Sequence, residues 1–153
     1  MTYSQYKSDL QNIHESEVYG RAVFDMAARF TINRERKQKW LALKALEDQT
    51  LERYLEYMRE SGQTVSEPLG WALKGRAEGA ALGLLPWRLA MKFVKDATVP
   101  FQEKFRRLKE NATEADQAFF AYVYAHEKAI EAFAEKELSG TEGSLKAVRD
   151  LVS

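Results

Sequence analysis

The sequence predicts an all-α fold: an antiparallel four-helix bundle with a long crossover between its second and third long helices and a short fifth helix at the C-terminus. Three observations carry this. Apolar residues recur at helical spacing through most of the chain. No stretch alternates apolar and polar residues over the length a strand needs. With 3 prolines and 8 glycines among 153 residues, long helices are free to form. A chain of this length suits one domain and buries roughly two thirds of its unfolded surface.

The first long helix is expected from Ser4 or Ser8 to Phe30, with Tyr6, Leu10, Ile13, Gly20, Phe24, Ala27 and Thr31 on one stripe. Thr31 and Asn33 mark a break, and either suits the N-cap of the next helix. The second helix runs to Arg59 with Trp40, Leu43, Leu51, Tyr54, Leu55 and Met58 inward, and Ser61-Gly62 ends it. Gln63–Pro68 reads as a loop, and Leu69–Leu85, rich in Gly and Ala, as the crossover. The third helix spans Trp87–Lys109 and carries Pro100, a kink signal. Thr113 with Asp116 resembles a capping box opening the fourth helix, Glu114–Leu138, and Gly140 is placed to cap its end. Ser144–Val152 is the short fifth helix.

Charge and composition narrow the function classes. Lys+Arg and Asp+Glu are 23 each, so no overall field favours nucleic acid or an anionic membrane. There are no cysteines, which excludes disulfides, thiolate zinc sites and cysteine nucleophiles and fits a cytoplasmic location. The first residues lack a signal-peptide pattern, and no phosphate-binding Gly-rich loop followed by Lys-Ser/Thr is present.

Carboxylates inside apolar stripes point to chemistry, because an unpaired buried charge is costly. At about 100° per residue, Glu17 falls among Ile13, Gly20 and Phe24, and Glu47 among Leu43, Leu51 and Tyr54. Each lies 15 residues from Ile32, where the first two helices turn, so the two face each other at one level. His126 and Glu127, with Glu127 nearer the centre of its face, reach the same height from the fourth helix. Facing carboxylates require a shared proton, a cationic side chain or a metal ion between them. Carboxylates and imidazole converging inside a helix bundle is how proteins hold iron or manganese. His14, at the edge of the first helix, reads as surface or structural, and Arg34-Glu35-Arg36-Lys37 and Arg106-Arg107 as solvated faces.

With Glu17, the run Ala45-Leu46-Glu47-Asp48-Gln49-Thr50-Leu51 and the run Ala125-His126-Glu127-Lys128-Ala129-Ile130, the chain resembles the ferritin-like superfamily, in the rubrerythrin and bacterial ferritin-like branch. The resemblance covers about residues 8–60 and about 114–140. It implies two metal ions that activate oxygen or peroxide, held by Glu, Glu-x-x-His, Glu and Glu-x-x-His on successive helices. Glu17 and Glu47 match the first two carboxylates. Thr50 and Ile130 stand where the resemblance would put histidines, and the third helix offers no inward Glu, with Asp96 at its edge and Glu103 outward. At most Glu17, Glu47, Glu127 and His126 remain as ligands, enough for one metal, a depleted pair, or a vestige in which protons and hydrogen bonds replace the metal, with Tyr19, Tyr54, Tyr122 or Tyr124 as supporting hydrogen-bond donors.

Two functions stay open on the sequence. One is an iron or manganese protein with an oxidative role. The other is a metal-free binding or assembly module that uses the Gly75, Gly79, Gly83 face for close helix contact between subunits or with a partner, with a homo-oligomer, a dimer, as its form. Peripheral lipid work by the apolar stretch Ala80–Val94, with Trp87, is the weaker third reading, against a buried crossover helix.

Overall fold

The computed structural model describes residues 1–153 and is all-helical, with no strand. The helices are α1 (Tyr3–Phe30), α2 (Arg34–Glu60), α3 (Trp71–Leu84), α4 (Trp87–Glu110), α5 (Gln117–Ser139) and α6 (Lys146–Leu151). Local chemistry fixes their ends. Thr2 and Gln5 form a reciprocal capping box on α1, so that helix starts earlier than either serine. Asn33 accepts from the Arg36 amide at 3.0 Å and starts α2. Gly140, at φ 70°, closes α5 in the left-handed conformation that a side chain would resist. Thr113 bonds to the Asp116 side chain instead of opening a helix, so α5 begins at Gln117, later than the capping pattern suggested. Helix α4 continues through Pro100.

Contacts along the helices set their directions. Helices α1 and α2 are antiparallel: Tyr6 meets Tyr57 at 3.2 Å at one end, and Trp40 donates to Thr31 at 2.9 Å at the other. Helix α5 runs antiparallel to α2, from the Tyr57–Phe119 ring stack through the Thr50–Tyr122 bond to the Lys39–Glu137 ion pair. Helix α4 is antiparallel to α5, with Trp87 donating to Glu137 at 2.9 Å and Gln102 to Glu131 at 2.9 Å. It follows that α2 and α4 run the same way, so the chain must return along the molecule between them.

Helix α3 makes that return. Its glycines lie flush on α1: a Cβ at Gly75 would meet the Tyr19 carbonyl oxygen at 2.5 Å, one at Gly79 would strike the Val23 backbone, and one at Gly83 would meet the Ala27 carbonyl oxygen at 2.7 Å. The rising order on both helices makes α3 parallel to α1. The four-residue step repeats one face of each helix, which is how two backbones approach this closely without side chains between them. This corrects the sequence reading of that glycine face as a surface between subunits: α1 already occupies it.

The core is divided. One cluster of 17 buried residues surrounds Phe24, Trp40, Met91 and Phe133. A second, of 9, surrounds Ile13, Tyr54, Phe105 and Phe120. Between them, buried Glu17, Glu47, Thr50, Thr98, His126 and Glu127 form a polar layer. No helix is long and apolar enough to cross a membrane.

Candidate metal centre

The turn at Ile32 brings Glu17 and Glu47 to one level, and α5 inserts His126 between them. His126 Nδ1 lies 3.4 Å from Glu17 Oε1, and its Nε2 lies 3.4 Å from Glu47 Oε2. Donor atoms of Glu17, Glu47 and His126 lie within 4.8 Å of one another, all buried, so this group could hold a metal ion. Glu127 stands at the margin, its Oε1 3.9 Å from His126 Nδ1 and accepting a hydrogen bond from Ser16 Oγ at 3.3 Å. The sequence reading had Glu127 nearer the centre. The structure centres His126 instead, because the side chain that points from α5 at both α1 and α2 is His126.

Both His126 nitrogens, both Glu17 oxygens and Glu47 Oε2 are buried and have no hydrogen-bond partner. Such orphaned groups are rare in folded proteins and cost free energy unless a ligand, ion or water meets them. Burial, then the Glu47 charge, pushes the Glu17 carboxyl well above the usual carboxylate range. Burial also raises Glu127, to about 7, although His126 opposes the rise. For His126, burial pulls the imidazole down, but Glu47 and Glu127 pull harder and leave it above its ordinary value. The cluster therefore retains protons at pH values where exposed carboxyls have lost theirs.

Gly20 lets Glu47 reach this position. A Cβ there would sit 2.6 Å from Glu47 Oε1, so the carboxylate rests against the bare backbone of α1. A glycine in the middle of a helical stripe was the readable sign of such an approach. Ser16 left no sign, since its role depends on the rotation of α5 against α1. Beside Gly20 a cavity of 40 Å³ opens among Phe24, Phe101, Ile130, Glu47 and Glu127. It has room for a water or a small diatomic molecule, and its walls are mostly apolar.

Other expected residues lie elsewhere. Thr50 Oγ1 bonds to the Leu46 carbonyl at 2.9 Å and to Tyr122 OH at 2.8 Å, and Gln49 also donates to Tyr122. None of Tyr19, Tyr54, Tyr122 and Tyr124 hydrogen-bonds to the four candidate ligands. His14 is buried, with its ring 5.0 Å from that of Tyr54, and so is structural rather than a surface residue. Arg107, expected on a solvated face, turns inward and forms two 2.7 Å bonds to buried Asp9, while Arg106 stays outside with Glu110. No protein-family model, curated protein or solved structure matches this chain.

Proposed function

We propose that α1, α2, α4 and α5 form a ferritin-like four-helix bundle, and that its polar layer binds one divalent ion of the iron or manganese class for oxidative chemistry. The observation that carries this reading is the set of five buried polar atoms without hydrogen bonds on Glu17, Glu47 and His126, with one ligand atom from each residue within 4.8 Å of the others. The donor set fits: two carboxylates and an imidazole suit iron and manganese, and burial without hydrogen bonds leaves their lone pairs available. The ion, when bound, supplies a redox-active centre for the activation of oxygen or peroxide.

The chain's own residues supply the rest. Glu17 and Glu47 offer carboxyl oxygens from opposite sides, Glu17 becoming anionic on metal binding by giving up the proton that burial holds on it. His126 offers one ring nitrogen to the ion, and its other nitrogen stands 3.4 Å from a carboxylate oxygen, close enough for a small shift to set the tautomer by a hydrogen bond. Glu127, held by Ser16 and titrating at about 7, takes up or gives a proton at its Oε1 beside the cavity. Phe101, Phe24 and Ile130 give that cavity mostly apolar walls and limit it to small molecules.

The metal-free scaffold is the second reading, and Thr50 favours it. Where a second imidazole would complete the resemblance, Thr50 instead closes a hydrogen-bond network with Tyr122 and Gln49. Elemental analysis after soaking with ferrous or manganous ion, beside Glu17→Gln/Glu47→Gln, separates the two. The metalloprotein retains about one ion per chain and the variant none. No retained metal in either, with the variant equally or more stable, establishes the scaffold.

A further inference from the structure

Two turns meet at the end of the molecule where α1 passes to α2 and α3 passes to α4. Their apolar residues point outward: Ile32 is 98% exposed, Leu84 70%, Leu89 55% and Leu85 44%. Phe30, Ile32, Leu84 and Leu85 line one groove, so these are a single patch and not scattered side chains. Contiguous exposed apolar surface of this kind marks an interaction site.

Charge is gathered around it. Residues 26–46 hold six basic residues and one acidic, and residues 80–95 hold three basic and none acidic; Arg29, Lys39, Lys44 and Lys95 are paired with Asp25, Glu137, Asp48 and Glu135, which leaves Arg34, Arg36, Lys37, Arg88 and Lys92 outside any salt bridge. The one acid, Glu35, is already paired with Lys39 at 3.3 Å. Arg36 lies over the Trp87 ring at 5.2 Å, which draws the two turns' cations into one rim. The whole chain balances at 23 basic and 23 acidic residues, so this excess is a property of one end.

We propose that this end docks on the surface of an anionic phospholipid bilayer. Ile32 and Leu84 enter the headgroup boundary, and Arg34, Lys37, Arg88 and Lys92 meet the lipid phosphates. An apolar tip with a cationic rim matches a surface that is apolar beneath and anionic above. A second copy of the chain fits worse, because a two-fold contact through this patch sets one cationic rim against another. Nucleic acid would meet the rim with its phosphates, yet it would leave the aliphatic side chains of Ile32 and Leu84 uncovered.

The test is co-sedimentation of the full chain with vesicles of phosphatidylcholine alone and with added phosphatidylglycerol. The variants Ile32→Asn/Leu84→Asn and Arg34→Ala/Lys92→Ala alter only exposed residues, and circular dichroism checks their fold. Retention is expected on phosphatidylglycerol vesicles and not on phosphatidylcholine, and is lost at about 1 M salt. Each removed cation lowers partitioning about fivefold, and the apolar double variant lowers it roughly tenfold or more. Equal recovery with and without phosphatidylglycerol, or unchanged retention by both variants, overturns the proposal. So does a wild-type dimer in sedimentation velocity that dissociates in Ile32→Asn/Leu84→Asn and binds no vesicles, since that assigns the patch to a second copy.

Discussion

Replacing Glu127 by Gln isolates what proton retention in the polar layer does to stability. In the metal-free protein this carboxyl titrates at about 7 when folded, against 4.5 for an ordinary glutamate. The folded state then binds more protons than the unfolded state between these values, so stability falls as pH rises through that window. The shift costs the folded state about 3 kcal/mol at about pH 8, against under about 1 kcal/mol at about pH 5. Raised Glu17 and raised His126 act with the same sign: each holds its proton longer in the folded state, and each loses stability with rising pH. Gln keeps an oxygen for the Ser16 hydroxyl and removes the titration. Urea unfolding with chelator present, at several pH values, is the assay. The variant should gain about 2–3 kcal/mol on wild type as the pH rises from about 5 to about 8, while keeping a residual slope from Glu17 and His126. In melting temperature that is about 5–10 °C. Parallel stability curves for the two proteins would refute the reasoning, for they would mean Glu127 loses its proton in the folded state as easily as in the unfolded chain.

Three further outcomes follow from the packing. Gly20→Ala puts a methyl onto Glu47 Oε1, a flexible side-chain end, so the carboxylate shifts; metal affinity by titration should drop about 10–100-fold with little change in melting temperature. Gly79→Ala instead drives a methyl into the Val23 backbone, which cannot yield without lifting α3 from α1; urea unfolding should show a loss of about 1–3 kcal/mol. Arg107→Ala leaves buried Asp9 without its two bonds, whereas Arg106→Ala removes only an exposed i,i+4 partner. Thermal melts should therefore rank the Arg107 variant well below the Arg106 variant, which should match wild type.

Some of this was readable from the sequence for a definite physical reason. A helix advances by a fixed rise, so equal counts of residues on either side of Ile32 bring Glu17 and Glu47 to one height. The same arithmetic from the second hairpin placed His126 at that level. Rotation was less legible. Neighbouring residues on a helix differ by about 100°, and the choice between His126 and Glu127 as the central residue depends on how α5 packs against α1 and α2. The same uncertainty put Arg107 outside with Arg106, when it turns in to Asp9. The crossover helix α3 was expected but its partner was hidden, because its glycines and alanines carry little apolar stripe; they record the nearness of another backbone, and the sequence does not say which. The zero net charge concealed the basic end, since a total is blind to position.

The division of the apolar interior has a consequence for how the protein comes apart. Helices α1, α2, α4 and α5 each thread both clusters, and each crosses a waist of ionisable side chains between them. At that waist, contacts between fully buried apolar side chains do not run from one half to the other, so much of the cooperativity along the molecule passes through the charge layer. Opening of one half is coupled to the other by whatever joins Glu17, Glu47 and His126. A cation bound there acts as a rivet, fusing two unfolding units into one, and amide exchange at the two ends would then report a single opening event in place of two.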